Sequence, residues 1–249
     1  MLLWAAACSD TPNDPADAIQ DAQLNLDVAR YAADQATDDI AMMTYETAGV
    51  FGGPMAGPPG GGMHGFGFDG SLSVTRTVTF YDGDGNDMGH YEADTTAVIN
   101  FYFLLEGERT RTSPRGTMTM EVYRERDMTV SGLEDEETTR QWDGFGESSK
   151  ERTVVSDQHG DRNYEMSSEA TITAVVIPVP RTDDSWPLDG GTIERIVHAE
   201  FVKDGETRTR DRTVLITFNG TQFVPIEING VVYTFDLATK KIVEDDAGG

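Results

Sequence analysis

One short loop has the residue types of a calcium site. From Asp82 to Gly89 the order is Asp-Gly-Asp-Gly-Asn-Asp-Met-Gly, which sets acidic and amide oxygens at alternate positions. Ca²⁺ takes its ligands from carboxylate, amide and carbonyl oxygens. If the loop binds calcium, we expect Asp82, Asp84, Asn86 and Asp87 to be the ligands. Because Asp, Asn and Gly are also the residues of tight turns, a polar hairpin turn is the alternative.

This loop resembles the calcium loop of EF-hand proteins only in part. The sixth position, a glycine in that loop, is Asp87, and the twelfth, a glutamate there, is Ala93. These departures favour the turn. Apart from this calcium ion, we expect no cofactor.

Arginine recurs between threonines in segments that alternate like strands. The segments are Thr75-Arg76-Thr77, Thr110-Arg111-Thr112 and Thr207-Arg208-Thr209-Arg210. An outward arginine on a strand usually pairs with a carboxylate across the sheet. Such carboxylates are plentiful: Glu106, Glu108, Glu121, Glu194 and Glu200. We expect a solvated charge ladder; if the arginines instead point into a concavity, they would suit an anionic ligand.

The chain lacks the signatures of common catalytic sites. His64, His90, His159 and His198 are dispersed, and no two of them have the spacing of metal ligands. The Gly-x-Ser-x-Gly, His-Glu-x-x-His and phosphate-loop patterns are absent. With 44 acidic residues, a carboxylate pair for acid–base catalysis cannot be told from chance. The sequence therefore favours a protein that is not an enzyme.

The one cysteine, Cys8, follows three alanines and a short apolar run, and the apolar character ends there. Such a run closed by small residues is typical of the end of a secretory signal. The segment resembles the lipobox of bacterial lipoproteins. The resemblance implies that Cys8 becomes the mature N-terminus and carries the lipid, and that Ser9 directs the protein to the outer membrane, on its periplasmic side or at the cell surface. Because the run is short and no Lys or Arg precedes it, we expect the signal to begin upstream of Met1.

The net charge of the protein limits the kinds of molecule that it is expected to bind. The net charge is -25, from 44 acidic and 19 basic residues. Nucleic-acid binding needs a basic face, so no nucleic acid is expected, and docking on anionic lipid is disfavoured. Attachment to the membrane is then expected through the N-terminal lipid alone.

The elements divide the chain into four parts. Residues 1–14 are the signal remnant, lipid site and spacer, and residues 15–47 form an amphipathic helix. Its apolar seam has steps of three and four and is rich in alanine: Ile19, Ala22, Leu26, Ala29, Ala33, Ala36, Ile40 and Met43. Its aspartates, Asp39 among them, are expected on the other faces. The seam predicts a helix packed on the β domain or, alternatively, a self-associating coiled coil.

Residues 48–70 are rich in Gly and Pro and predict a linker. From residue 71 to 249 apolar and polar residues alternate with a period of two, which predicts a mainly β domain. We expect about ten strands in an antiparallel meander that forms a curved sheet or a barrel. Gly144 and Gly146 are expected to mark a turn between two strands. Ile193, Val197 and Ala199 are expected to point inward. Asn219-Gly220 and Asn229-Gly230 predict tight hairpins.

The leading interpretation is an exported, lipid-anchored envelope protein with a non-catalytic structural, adhesive or binding role. The alternative is a carrier or binder of an apolar ligand held between the helix and the curved sheet, and a secreted hydrolase is a third. Partners are then the membrane, through the lipid, and an apolar ligand or an envelope protein. The sequence leaves the oligomeric state open.

Overall fold

The computed structural model describes residues 15–50, 69–113, 116–133, 137–154, 162–180, 182, 185–203, 206–239 and 241–243. Its elements are α1 (Pro15–Val50), β1 (Asp69–Asp82), β2 (Asp87–Met88), β3 (Thr96–Ser113), β4 (Gly116–Ser131), β5 (Thr139–Val154), β6 (Arg162–Pro178), β7 (Thr192–Lys203), β8 (Glu206–Thr217), β9 (Phe223–Ile228), β10 (Val231–Asp236) and β11 (Lys241–Val243). Cys8 and most of the predicted linker lie outside the described residues.

The strands form one antiparallel sheet in nearly sequential order. The sheet has 11 strands, from β11 at one edge through β10, β9, β8, β7, β6, β5, β4, β3 and β1 to β2 at the other. It is open, because the edge strands β11 and β2 do not pair with each other. The predicted meander is therefore confirmed, in its open form.

Helix α1 packs on one face of this sheet, called here the inner face. It contacts β7, β8, β9 and β11, and side-chain hydrogen bonds extend its contacts to β4. Asn25 meets β8 and Asp39 meets β4. Fourteen helical residues span about 21 Å, and four strand spacings span about 19 Å. The helix therefore runs across the strands rather than along them.

The core lies between α1 and the inner face. Alanines of the predicted seam allow close approach, since Ala29, Ala33 and Ala36 are buried. Apolar side chains of the central strands meet them, including the fully buried Ile193, Ile216 and Ile226. The helix seam is thus used against the sheet, the first of the two arrangements that it predicts. No described helix is both long and apolar enough to cross a membrane.

The glycines expected to mark a turn lie inside one strand. β5 is continuous from Thr139 to Val154, with Gly144 opposite Met128 and Gly146 opposite Arg126 on β4. A Cβ at Gly146 would lie 2.6 Å from Cδ of Arg126, and one at Gly144 would lie 2.8 Å from Cα of Met128. The prediction of a turn was wrong because these glycines let β4 approach closely: a Cβ would also lie 2.4 Å from the carbonyl oxygen of Asp127 at Gly144 and 2.2 Å from that of Glu125 at Gly146.

The two Asn-Gly pairs behave differently. Asn229 and Gly230 have φ of 47° and 85° and join the paired residues Ile228 and Val231, so the predicted tight hairpin is confirmed. The tight hairpin predicted at Asn219-Gly220 was wrong: the pair belongs to a longer loop between β8 and β9, since Gly220 has a positive φ but Asn219 does not, and a type I′ turn needs both. There the Asn219 side chain accepts the N–H of Thr221 at 3.1 Å and donates to the carbonyl of Phe223 at 2.9 Å.

Candidate functional site

The least expected feature of the inner face is a buried charge cluster around Asp39. Both of its carboxylate oxygens are bound: Arg126 Nε donates to Oδ1 at 2.8 Å, and Arg195 Nη2 donates to Oδ2. All three side chains are 0% exposed. One helix residue thereby joins two strands, β4 and β7.

A third arginine on β4 extends the cluster. Arg124 donates from Nε to Oε1 of Gln35 at 3.1 Å and from Nη2 to Oδ2 of Asp38 at 2.7 Å. Arg124 and Gln35 are buried, whereas the Asp38 side chain is 52% exposed. We call Asp38, Asp39, Arg124, Arg126 and Arg195 the arginine–aspartate cluster.

The strand register explains how two distant arginines reach one carboxylate. Arg126, Gly146, Ala170 and Arg195 are successive partners across β4, β5, β6 and β7. Three strand spacings separate the arginines by about 14 Å. Between them stand only a glycine and an alanine, which lets both side chains lie along the sheet. Asp39, held on the helix above this row, accepts from both of them.

Burial and charge act against each other at this site. Burial alone would raise the pKa of the Asp39 carboxyl, but the charges of Arg126, Arg195 and Arg124 outweigh it and hold that pKa below its usual value. Burial lowers the pKa of the Arg195 guanidinium to about 10, against the attraction of Asp39 and with the help of the neighbouring Arg126. Asp39 is therefore ionised and Arg195 is charged at neutral pH.

The arginines have more donors than the cluster uses. Arg126 Nη1 donates to the carbonyls of Glu125 at 2.6 Å and Glu147 at 2.8 Å. Within the part of the chain that the structure describes, Arg126 Nη2 and Arg195 Nε and Nη1 are buried and have no hydrogen-bond partner. Buried polar groups are nearly always paired, so these three nitrogens need an explanation.

A second polar row lies beside the first. Tyr31 Oη lies 3.4 Å from Oγ of both Ser148 and Ser168, which are 3.0 Å from each other. Farther toward the helix start, Arg212 Nε donates to Oδ1 of Asn25 at 2.6 Å. The helix is thus held by polar contacts along much of its length as well as by its apolar seam.

Sequence reasoning missed this cluster, although strand parity carried a signal for it. Arg195 has the same parity as Ile193 and Val197, which were expected to point inward, and Arg126 has the parity of the buried Met128. Asp39 was expected on an outer face of the helix, and that expectation was wrong. It lies at the border of the apolar seam, where only the opposing strands decide whether a residue is buried.

The loop predicted to bind calcium is the turn between β1 and β2. Asp82 Oδ1 accepts the N–H of Asp84 at 3.0 Å and of Asn86 at 2.8 Å, and Oδ2 accepts Asn86 Nδ2 at 2.9 Å. These bonds, chiefly those from Asn86, lower the pKa of the Asp82 carboxyl. Among the residues that the structure describes, no group of three His, Cys, Asp or Glu side chains is arranged to hold a metal. Calcium binding by Asp82, Asp84, Asn86 and Asp87 stays a prediction.

The arginines flanked by threonine do not form the expected outward ladder. The Arg76 guanidinium lies 5.9 Å from the ring centroid of Phe103, and Arg76 stands opposite that buried residue in the sheet. Arg210 stands opposite the buried Ala199. Both are on the inner face because the alternation of the strands directs the threonines outward. The side chain of Arg111 is outside the described set.

The outer face carries glutamates at neighbouring positions. Glu108 on β3 stands opposite Glu121 on β4, and Glu165 on β6 stands opposite Glu200 on β7. Glu125, Glu147 and Glu169 form a second row. Glu125 accepts hydrogen bonds from Tyr123 at 2.5 Å and from Tyr102 at 3.0 Å, which lower the pKa of its carboxyl. Like charges opposite each other are destabilising, so this face is strongly acidic at some cost in stability.

One outer row has the residue types of a hydrolase. Ser167, His198 and Asp211 are successive partners on β6, β7 and β8, and His198 Nδ1 lies 2.7 Å from Oδ1 of Asp211. A serine nucleophile also needs a hydrogen bond to the histidine and donors for the oxyanion. Of the hydrogen bonds described for these three residues, none joins Ser167 to His198, and the strand ladders use the surrounding N–H groups. The row lacks these parts of an acyl-transfer site.

Comparison with protein-family models, with curated proteins and with solved structures gives no match to this chain. The fold class is therefore defined by the coordinates alone: an open antiparallel meander sheet with one helix across its inner face.

Proposed function

We propose that this chain is an exported, lipid-anchored protein of the bacterial cell envelope, in the outer membrane, with a non-catalytic structural or adhesive role. The observation that carries the proposal is the filled inner face. The helix seam and the arginine–aspartate cluster occupy the region where a carrier would hold its ligand. Such a body needs only a tether and exposed strands to act as a surface module.

A carrier of an apolar ligand is the second candidate, favoured by the helix that covers one face of an open sheet. For a ligand to enter there, the helix would have to leave and separate Asp39 from Arg126 and Arg195. Breaking a buried charge pair costs about 3–5 kcal/mol. A site that requires this step also presents buried arginines to the ligand, which suits an apolar molecule poorly.

A secreted hydrolase is the least supported candidate. Ser167, His198 and Asp211 form the aligned row on the outer face described above, and the side chains of His198 and Asp211 are 45% and 66% exposed to solvent. Acyl transfer depends on donors preorganised in a site that excludes water. An open strand surface offers neither, so we do not assign this activity.

The lipid anchor is tested by exchanging Cys8 for serine in the full chain, expressed in a bacterium from its natural start. We expect the unchanged protein in the membrane fraction, with a mature N-terminal peptide that begins at Cys8 and carries the mass of a diacylglycerol. Cys8→Ser should remove that mass and release the protein into the soluble fraction. Ser9→Ala is the matched control and should stay lipidated. An unmodified Cys8 in a soluble wild-type protein would contradict the anchor.

A further inference from the structure

The charges of the arginine–aspartate cluster do not balance. Arg124, Arg126 and Arg195 supply three positive charges, and Asp38 and Asp39 supply two negative ones. Of these five side chains, only that of Asp38 is substantially exposed to solvent. Isolated buried charges are strongly unfavourable unless they are paired. Counted over these five described side chains, the cluster is therefore short of one negative charge.

The hydrogen-bond donors without a partner also indicate a negatively charged ligand. Among the described residues, one buried nitrogen of Arg126 (Nη2) and two of Arg195 (Nε and Nη1) have no hydrogen-bond partner, although both arginines already bind Asp39. Guanidinium groups are donors only, so what completes them must accept hydrogen bonds. An anion satisfies both the donors and the missing charge, whereas a water molecule satisfies only the donors.

We propose that the cluster binds one small monovalent anion of the halide class, in contact with the free N–H groups of Arg126 and Arg195. The charge deficit of one selects a monovalent ion. The complete burial of both arginines selects a small one, because it has to enter through transient opening of the helix–sheet interface. Between the two arginines in this row stand only Gly146 and Ala170, which have no side-chain atom that could accept from these N–H groups.

The proposal is independent of the anchor and of the envelope role. It concerns only the stability of the helix–sheet interface, because an ion that binds the folded state raises its stability by mass action. The pKa of Arg195, held near 10 chiefly by burial, agrees with a cation that lacks full compensation.

Thermal unfolding of the full chain with varied chloride tests the proposal. Sodium chloride is exchanged for sodium gluconate at constant ionic strength, since the net charge of -25 makes stability depend on salt in general. Each tenfold rise in chloride above its Kd should raise Tm by on the order of 3–5 °C. A Tm that depends on ionic strength alone would overturn the proposal.

Two variants localise the effect. Arg195→Met removes two of the three unpaired donors and one charge, and should abolish the dependence on chloride. Arg212→Met is the matched control, because it removes another buried arginine that binds the helix, through Asn25, and should keep the dependence. Equal behaviour of the two variants would contradict the site.

If Arg195→Met does not fold, crystals of the wild-type protein grown in sodium bromide give the answer directly. We expect an anomalous bromide peak within hydrogen-bond distance of the Arg126 and Arg195 guanidinium groups. A water molecule at that position, or bromide at surface positions only, would overturn the proposal.

Discussion

Asp39 joins helix α1 to both β4 and β7. Its buried carboxylate accepts charge-assisted hydrogen bonds from Arg126 and Arg195. The carboxylate of the neighbouring Asp38 binds Arg124 but is half-exposed. Buried pairs broken by removal of one partner are costly, and exposed pairs are worth little. Replacing Asp39 should therefore lower the stability of the protein much more than replacing Asp38.

We expect Asp39→Asn to lower the free energy of unfolding by about 3–5 kcal/mol, because it leaves two buried arginines without a carboxylate. Asp38→Asn is the matched control and should cost no more than about 1 kcal/mol. Urea unfolding followed by circular dichroism measures both. Similar losses in the two variants would show that burial of the Asp39 pair does not matter.

Urea unfolding of the wild type and of Asp39→Asn at a series of acid pH values tests how the charge of Asp39 contributes to stability. Because the pKa of Asp39 is lower in the folded state than in the unfolded chain, its stabilising effect is present above the usual value near 3.8 and is lost as pH falls through the folded pKa. Wild type should therefore lose stability faster than Asp39→Asn over that acid range.

At the scale of elements, the register between β4 and β5 decides whether the cluster can form. Arg126 lies over Gly146, where a Cβ would come within 2.6 Å of its Cδ. Overpacking of this kind costs about 1–3 kcal/mol. A Cβ there would also lie 2.2 Å from the carbonyl oxygen of Glu125, so a side chain at residue 146 should shift the backbone of β4 as well as the Arg126 side chain.

Gly146→Ala should accordingly destabilise the protein by about 1–3 kcal/mol, measured by chemical unfolding. Gly89→Ala is the control, because a Cβ there meets nothing within 4 Å, and it should change stability by less than about 0.5 kcal/mol. A neutral Gly146→Ala would mean that Arg126 is free to adopt another position.

Local patterns predict some of these elements and fail for others. The steps of three and four predict the helix seam, and Asn229-Gly230 predicts its hairpin, because each depends on neighbours in the chain. Gly146 could not be interpreted alone, since glycine marks either a turn or a close contact, and the contact is with a residue on another strand. Asp39 and Arg195 are far apart in sequence, so only the register reveals that they meet.

At the scale of the whole molecule, the sheet separates its charges. Arginines of the central strands turn inward to the helix, and rows of glutamate such as Glu121 and Glu165 face outward. The exposed surface is therefore acidic and unsuited to anionic lipid, in keeping with the net charge of -25. This distribution supports attachment through Cys8 rather than through the surface of the β domain.

We infer that the helix fills the inner face and that this face holds no apolar ligand. Native mass spectrometry of the full-length Cys8→Ser protein, purified from bacterial cells without detergent, tests this most directly. We expect the mass of the polypeptide with no bound lipid. A stoichiometric fatty acid or phospholipid that remains bound through purification would contradict it and establish the carrier in its place.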